Sequence, residues 1–229
     1  MRGKIISYTE MCANEGGSLQ RGMNYRLRGG ASVILMSLRK NSPYQDAVED
    51  NGTTIIYEGH DVPRNVHSSP KTVDQPYYRE GGSLTENGKF SEAAKKYKRG
   101  VAAPEIIHVY EKVKTGIWTD NGFFELADVW MESDGTREVF KFKLTISDGE
   151  NENSDLESGG KLSPGRLIPP TVKLEVFKRD EGKCVLCGEE NELHFDHIIP
   201  VTKGGTSSTA ENIQLLCARH NRQKSAKII

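Results

Sequence analysis

Long hydrophobic runs are missing from this sequence. Apolar residues make up 35% of its 229 positions, and the mean hydropathy is −0.59. No window approaches the roughly 18 consecutive apolar residues that a membrane-spanning helix needs. The opening residues MRGKIISYTEM lack the apolar segment of a secretory signal peptide. We therefore expect a cytoplasmic, intracellular protein that does not contact a membrane.

The sequence also has few cysteines and almost no net charge. Four cysteines are present, and three of them, Cys184, Cys187 and Cys217, lie in the last fifth of the chain. Such clustering in an intracellular protein indicates metal ligands rather than disulfides. The 31 basic and 32 acidic residues leave a net charge of −1. This balance argues against nonspecific coating of DNA, but a local basic patch can still bind phosphate.

A change in composition divides the chain in two. Residues 148–160, DGENENSDLESGG, contain five acidic residues, no basic residue and almost nothing that could be buried. This composition is typical of a flexible linker. We predict a first domain at 1–147, a flexible linker rich in acidic residues, Gly and Ser at 148–168, and a second domain at 169–229. Because a flexible linker lets the second domain take many positions relative to the first, we expect the second domain to act at a loosely defined distance from the first.

The first domain has mainly β-strand patterns. Strands are predicted at 31–37, 53–57, 106–113 and 139–146, and in the last of these apolar and polar residues alternate. One short helix is predicted at 91–99, with Ser91 as its N-cap. Many strands with one helix favour a curved sheet or open barrel, so the predicted fold class is α+β.

The second domain has a different pattern. A helix is predicted from a cap at Thr171 to near Gly182. The tight turn CVLCG follows, then a strand in LHFDHIIPV and a second strand, NIQLLC, that leads into a basic C-terminal helix. This last helix carries four basic residues that either face solvent or contact DNA, namely Arg219, Arg222, Lys224 and Lys227.

Two short pairs of potential metal ligands frame this region. They are Cys184-x-x-Cys187 and Cys217-x-x-His220. A tight turn points both side chains of a pair inward, and two such pairs complete the tetrahedral set of a structural zinc site. A domain of about 60 residues has a small core, so a bound metal would stabilise it. The sequence therefore predicts structural Zn²⁺; the alternative is buried free thiols beside a surface histidine.

Between these pairs lies the segment HFDHIIPVTKGGTSSTAENIQLLCARHNRQK. Its Asp196-His197, Asn212 and Asn221 resemble the motif of the HNH, or ββα-metal, nucleases, and the resemblance extends over residues 166–226. Members with a zinc knuckle frame the motif with two C-x-x-C pairs, and His220 stands here where the last cysteine is usual. The resemblance implies a metal-dependent HNH endodeoxyribonuclease in the second domain.

The residues of this motif suit phosphodiester hydrolysis. The reaction needs a base for the attacking water and a cation beside the leaving oxygen. His197 suits the base, and Asp196 and Asn221 offer the hard oxygen ligands that Mg²⁺ or Mn²⁺ prefers. Neighbours on an extended segment point to opposite faces, so one can bind metal while the other meets water. The resemblance implies that Asn212 positions the loop carrying His197, and both a catalytic and a backbone-structural role stay open for it.

The first domain contains SPYQDAVEDNGTTIIYEGHD, then Leu84-Thr85-Glu86-Asn87, then a Gly-x-Phe strand followed by Trp. In their order and spacing, over residues 15–146, these segments resemble the SRA (SET and RING associated, or YDG) domain. The resemblance implies an SRA-like curved β-barrel domain that flips a modified cytosine out of duplex DNA into a pocket.

A flipped base needs aromatic partners and a group that reads its Watson–Crick edge. Tyr44 and Tyr57 are the predicted aromatic partners, with core packing as the alternative. An aspartate can accept a hydrogen bond from the N4 amine of cytosine. Asp46 is the first candidate for this reader, with a turn-capping role as its alternative. Asp50 is the second candidate, because YQDAVEDNG is one residue longer than the family pattern.

The two resemblances together predict an SRA-HNH modification-dependent endonuclease. It would flip 5-methylcytosine or 5-hydroxymethylcytosine and cut a nearby phosphodiester, in the restriction of modified foreign DNA by bacteria. One HNH site cuts one strand, so double-strand cleavage predicts a homodimer on double-stranded DNA. The alternatives are a non-cleaving reader with a degenerate HNH module and an HNH enzyme that ignores modification. The presence of Asp196, His197 and Asn221 favours an enzyme over the non-cleaving reader, and activity on fully unmodified DNA would indicate the enzyme that ignores modification.

Overall fold

The computed structural model describes residues 2–39, 41–147 and 167–225. Most of the predicted linker, residues 148–166, lies outside this part of the chain. Helices and strands are mixed, which confirms the predicted α+β class. The strands are β1 (Lys4–Ile6), β2 (Met23–Asn24), β3 (Ser32–Met36), β4 (Ala47–Glu49), β5 (Thr54–Glu58), β6 (Ile106–Lys114), β7 (Ile117–Ser133), β8 (Glu138–Ile146), β9 (Leu193–His197) and β10 (Ile213–Cys217). The helices are α1 (Tyr8–Asn14), α2 (Glu86–Lys98), α3 (Pro170–Arg179) and α4 (Ala218–Lys224).

The long strand β7 organises the sheet. Its first half pairs with β1 on one side and β6 on the other, and its second half pairs with β8. From β6 the sheet continues to β3 and β2, and from β8 it continues to β5 and β4. The register shifts at 108–110 and 126–128. Such bulges bend strands, so the two branches of the sheet curve around a shared core.

The first core lies between the curved sheet and α2. Its largest side chains are at most 1% exposed, and they are Tyr57, Phe90, Phe124 and Phe142. Strand β8 follows its predicted alternation with one exception. Lys141, expected on the solvent side, is buried and its Nζ lies 3.2 Å from a Glu58 carboxylate oxygen.

Helix α2 begins earlier than predicted. Its N-cap is Thr85, whose hydroxyl accepts a hydrogen bond from the Gly88 amide at 3.1 Å. Ser91, the predicted cap, is buried inside the helix. A small polar residue that packs inside a helix has the same local signature as a cap, which explains the error. Helix α1, which starts at a capping box formed by Ser7 and Glu10, was not predicted.

The second part of the chain is a ββα unit. Strands β9 and β10 are antiparallel, and α4 follows β10 directly. Helix α3 begins at Pro170 with Pro169 as its cap, rather than at Thr171; proline suits the first turn because that turn needs no amide donor. Its Val172 and Val176 pack in the core with residues of β9 and β10. In the described part of the chain, no helix has the length and apolarity to cross a membrane.

Strand β1 joins the two parts into one sheet. It pairs with β7 over residues 4–6 and with β9 where Lys4 lies opposite His194. At the end of the predicted linker, Leu167 packs in the first core and Ile168 packs in the second. This packing argues against the loosely tethered second domain that the linker composition suggested.

Candidate active site

The candidate nuclease site lies where β9, β10 and α4 meet. In the antiparallel ladder Asp196 lies opposite Gln214, and His197 lies opposite Ile213. As expected for an extended segment, Asp196 and His197 point to opposite sides of β9. The Asp196 carboxylate faces α4, where its Oδ2 lies 2.9 Å from Lys224 Nζ. The His197 ring faces the loop that follows β9.

Ser207 holds the His197 ring in place. Its Oγ lies 2.8 Å from His197 Nε2, and the Ser207 side chain is buried. Within residues 2–39, 41–147 and 167–225, Nδ1 of His197 has no hydrogen-bond partner. Burial lowers the pKa of His197, against the charge of Asp196 and with the help of Lys224. The imidazole is therefore neutral at pH 7, which is the form that can accept a proton.

Asn212 fastens the loop between β9 and β10. Its Oδ1 accepts a hydrogen bond from the Ile199 amide at 2.8 Å. Its Nδ2 donates to the carbonyl oxygens of Ile199 at 3.0 Å and Thr206 at 2.9 Å. The loop is so tight that a Cβ on Gly205 would lie 1.8 Å from the Ile199 carbonyl oxygen. These contacts support the positioning role that the sequence left open for Asn212.

Lys224 does not belong to the basic stripe predicted on the last helix. Arg219 and Arg222 are exposed, whereas Lys224 is 1% exposed. Its Nζ contacts Asp196 and also donates to the His197 carbonyl oxygen at 2.6 Å. The buried ammonium thus holds the two motif residues of β9. The fourth predicted member of the stripe, Lys227, lies outside the described residues.

Asn221 shares the inner face of α4 with Lys224. Residues three apart on a helix lie on the same side, so the placement of Lys224 against β9 brings Asn221 toward β9 as well. Asn221 is half-buried. The spacing Asn221-x-x-Lys224 is the sequence signal that could have identified Lys224 as a site residue.

The four predicted zinc ligands converge. Cys184, Cys187, Cys217 and His220 offer donor atoms that all lie within 4.8 Å of one another. The His220 Nδ1 is 3.3 Å from the Cys184 sulfur and 3.4 Å from the Cys217 sulfur, and the Cys187 and Cys217 sulfurs are 3.9 Å apart. A tetrahedral zinc ion with sulfur at ~2.3 Å and nitrogen at ~2.0 Å separates its ligands by roughly 3.5 to 3.8 Å. The donor set therefore fits one tetrahedral metal ion.

This cluster is tied to the nuclease site through α4. His220 belongs to the cluster, and its neighbour Asn221 is one of the predicted residues of the nuclease site. Burial opposes ionisation of Cys184, but hydrogen bonds from the backbone of Cys217 and Leu186 outweigh it and lower the pKa of Cys184 to about 6. A lowered pKa favours the thiolate that binds metal.

Three of the four predicted pocket residues lie together beside β5. Tyr57 is buried and Tyr44 is half-buried. The Asp46 carboxylate accepts hydrogen bonds from the Ser37 amide at 3.0 Å and the Glu58 amide at 3.1 Å. Burial raises the pKa of Asp46 to about 7, although both amides act in the opposite direction. Each carboxyl oxygen keeps capacity for a further hydrogen bond.

Asp50 lies apart from these residues, because β4 separates it from Asp46. Its carboxylate accepts a hydrogen bond from the Thr54 hydroxyl at 2.7 Å. It lines a cavity of about 450 Å³ that Pro169 and Ser207, from the second part of the chain, also line. The structure therefore brings Asp46, and not Asp50, to the two tyrosines.

His60, two residues after the end of β5, lies between the two tyrosines. Its ring stacks on Tyr44 with centroids 5.4 Å apart and planes 17° apart, and its Nε2 lies 3.0 Å from the Tyr57 hydroxyl. Asn87 holds the His60 backbone through an amide and a carbonyl contact, both 2.8 Å long. Burial lowers the pKa of His60 to about 4, so the ring is neutral at pH 7. His60 belongs to the segment that carries the SRA resemblance, but its position between the two tyrosines follows from the fold.

A comparison with protein families finds a match in the second part of the chain. Residues 184–227 match the model of the HNH endonuclease family. This segment contains the four metal-cluster residues as well as Asp196, His197, Asn212 and Asn221. A comparison with curated protein sequences gave no match.

Several solved structures are similar to this chain. The SRA domain of SUVH5 in complex with hemimethylated CG DNA is 25% identical over 63% of this chain and 86% of that chain, with a TM-score of 0.44. SUVH5 SRA bound to fully hydroxymethylated CG DNA is 22% identical over 63% and 87%, with the same TM-score. The type IV phosphorothioation-dependent restriction endonuclease ScoMcrA is 16% identical over 98% of this chain and 56% of that chain, with a TM-score of 0.43.

Proposed function

We propose, from the premise that residues 184–227 are an HNH endonuclease domain, that this chain is a modification-dependent DNA endonuclease. It would read modified cytosine in double-stranded DNA through its first part and hydrolyse a nearby phosphodiester through its second. The observation that carries the proposal is the placement of Asp196 and His197 on opposite faces of β9, within the residues that match the HNH family.

Hydrolysis would proceed by attack of a water molecule on the phosphodiester. His197 is the proposed general base, because Ser207 holds its Nε2 and Nδ1 is left for the water. Asn212 keeps the loop that carries Ser207 in one conformation. Lys224 contacts the Asp196 carboxylate and the His197 carbonyl oxygen, and these contacts keep both residues in fixed positions on β9.

Asp196 and Asn221 are the proposed ligands of a catalytic Mg²⁺ or Mn²⁺ ion. Their oxygen atoms are the donors that these hard cations prefer. Such an ion, when bound, neutralises charge on the phosphate and on the leaving oxygen. The sulfur-rich cluster on the other side of α4 suits a structural Zn²⁺ instead, and would fasten the start of α4 to the turn at 184–187.

Base reading is assigned to Tyr44, Asp46 and Tyr57. A base stacked between two rings separates them by about 6.8 Å, twice the 3.4 Å step of a nucleic acid strand. The ring centroids of Tyr44 and His60 are 5.4 Å apart, which is too close for a base to stack between these two rings. His60 must therefore move when a base enters, and Asp46 is the proposed reader of the edge of that base. The small methyl or hydroxymethyl group would be selected by the shape of the pocket.

The proposed setting is the restriction of modified foreign DNA in the bacterial cytoplasm. One HNH site cuts one strand, so a double-strand break requires two copies of the chain. A homodimer, formed in solution or on DNA, is therefore part of the proposal. Analytical ultracentrifugation with and without modified duplex would test it. Double-strand cleavage by a particle that stays monomeric on DNA would refute this part.

Cleavage of one plasmid in an unmodified and a cytosine-methylated form tests the proposed function. The protein is supplied with Mg²⁺ or Mn²⁺, beside a His197→Ala variant as the control. We expect cutting of the methylated form alone and no cutting by the variant. Equal cutting of both forms would keep the nuclease and refute the reader. If neither form is cut but the methylated one is bound, the chain is a non-cleaving reader.

A further inference from the structure

We infer that residues 2–6 and Lys173 lock the nuclease part against the reader part, so that the cut falls at a fixed distance from the modified base. Residues 2–6 are called the strap below. The inference rests on the proposed function and concerns what determines the cut position. A freely tethered nuclease part would cut at several distances from the modified base. A nuclease part that is docked on the reader part would cut at one distance, because the two parts then move as one rigid body.

The strap is bonded to both parts through its backbone. The Gly3 amide donates to the Asp120 carbonyl oxygen of β7 at 2.8 Å, and its carbonyl accepts from the Phe195 amide of β9 at 3.0 Å. Gly3 has φ +82°, and a Cβ there would lie 2.7 Å from the Phe195 carbonyl oxygen. Only glycine combines this backbone conformation with so close an approach. The seam between the two parts therefore depends on this position.

Side chains of the strap alternate between the two cores. Ile5 packs against the core of the ββα unit, and Ile6 is buried in a cluster with Val33 and Tyr110 of the reader sheet. This is the period of two expected for a strand with a different neighbour on each face. Arg2 adds a hydrogen bond to the Phe123 carbonyl at 3.0 Å. Separation of the two parts would expose apolar surface on both sides of the strap.

A buried ion pair sits in the same interface. Lys173 of α3 lies 2.6 Å from the Glu111 carboxylate of β6 and 3.0 Å from the Asn121 side-chain oxygen of β7. Each of the three residues is 1% exposed. A buried charge that loses its partner is strongly unfavourable, so such a pair permits few arrangements of the surfaces that carry it. Lys173 thereby specifies one docking position of the nuclease part.

The docked arrangement brings the two candidate sites near each other. Asp46 and Asp50 flank β4, at most about 13 Å apart at the rise of an extended strand. Asp50 lines one cavity with Ser207, and Ser207 contacts His197. The base pocket and the catalytic base are thus connected through β4 and the cavity that Asp50 and Ser207 line. We expect a cut within about one helical turn, on the order of 10 base pairs, of the modified cytosine.

Mapping of cut positions on a duplex with a single 5-methylcytosine tests the inference. Four proteins are compared: the wild type, a variant with a flexible Gly-Ser insertion inside residues 148–166, Lys173→Met, and the control Lys178→Met. Lys178 is exposed on the same helix. We expect one dominant position, at the same offset, for the wild type, the insertion and the control, and several positions for Lys173→Met. An offset that spreads with the insertion would overturn the inference, as would an unchanged offset in Lys173→Met.

A measurement without DNA separates this inference from the proposed function. Hydrogen exchange of the amides of the strap and β9 is recorded for the wild type, Lys173→Met and Gly3→Val. If the parts are locked, these amides exchange slowly in the wild type and at least about tenfold faster in both variants, while the reader core stays protected. Fast exchange at the seam of the wild type would overturn the inference even if cleavage depends on modification. Equal cleavage of unmodified DNA would instead refute the reader and leave the docking intact.

Discussion

Replacement of Asn212 by alanine should loosen the loop that holds the catalytic base. The side chain makes three hydrogen bonds, two with Ile199 and one with Thr206, and is 9% exposed. At about 1 kcal/mol for each, their loss should lower the free energy of unfolding by about 3 kcal/mol. Because Ser207 follows Thr206 and holds His197, we also expect the cleavage rate to fall more than about tenfold, the equivalent of 1.4 kcal/mol in the barrier.

Denaturant unfolding and single-turnover cleavage measure the two effects. Asn191→Ala is the matched control, because Asn191 is exposed and, among the residues that the structure describes, its side-chain nitrogen bonds only to Glu189, at 2.9 Å. The control should keep its stability within about 0.5 kcal/mol, as is usual for surface changes. The positioning role would be refuted if the Asn212→Ala protein were as stable as the control, or if it cut DNA at the wild-type rate.

Three further predictions concern metal and protons. The purified chain should contain one zinc ion, and its removal should unfold the ββα unit; a fully stable metal-free protein would contradict the cluster assignment. Lys224→Met should bind Mn²⁺ severalfold more tightly in calorimetry, because the substitution removes a cation next to Asp196. Lys203→Met, at an exposed lysine, is the control. Equal Mn²⁺ affinities of Lys224→Met and the wild type would contradict the proposed metal site. Asp46 has a folded pKa of about 7, above its usual value. The protonated carboxyl group is therefore favoured in the folded protein, and its contribution to stability is complete below about pH 4 and is lost as pH rises to about 7. Over that window the free energy of unfolding of the wild type should fall by about 1 kcal/mol per pH unit relative to that of Asp46→Asn. A difference in unfolding free energy that does not vary with pH would exclude this linkage.

The sequence alone predicted the local features well. The strand at 139–146 has a regular alternation, and the two short Cys and His pairs have a spacing that few other structures require. Likewise, Asp196 and His197 are neighbours on a strand, so their opposite orientation follows from strand geometry. In each case the relevant residues lie close together in the chain.

Features that depend on distant contacts could not be predicted. The spacing of Lys224 from Asn221 places both on one face of the helix, but only the packing of α4 on β9 shows that Lys224 is buried while Arg222 is exposed. The strap is too short to have a recognisable period. His60 is placed beside Tyr44 by Asn87, which lies 27 residues further along the chain. The composition of residues 148–160 contains no information about the surfaces that pack together on either side of them.

The choice between Asp46 and Asp50 shows the same limit. Both lie within five residues of Asn51-Gly52, and a difference of one residue in segment length made them equivalent in the sequence. The structure separates them because β4 lies between them, with Asp46 bonded to Ser37 and Asp50 bonded to Thr54. Register, rather than composition, decides which carboxylate meets the tyrosines.

The central claim is that one chain both reads modified cytosine and cuts the DNA. Its most direct test is the single-turnover cleavage rate of two duplexes that differ by one methyl group on one cytosine, with Asp46→Ala measured beside the wild type. We predict that the wild type cuts the methylated duplex at least about tenfold faster, a preference of 1.4 kcal/mol, and that Asp46→Ala loses this preference. Equal rates on the two duplexes for the wild-type protein would contradict the account.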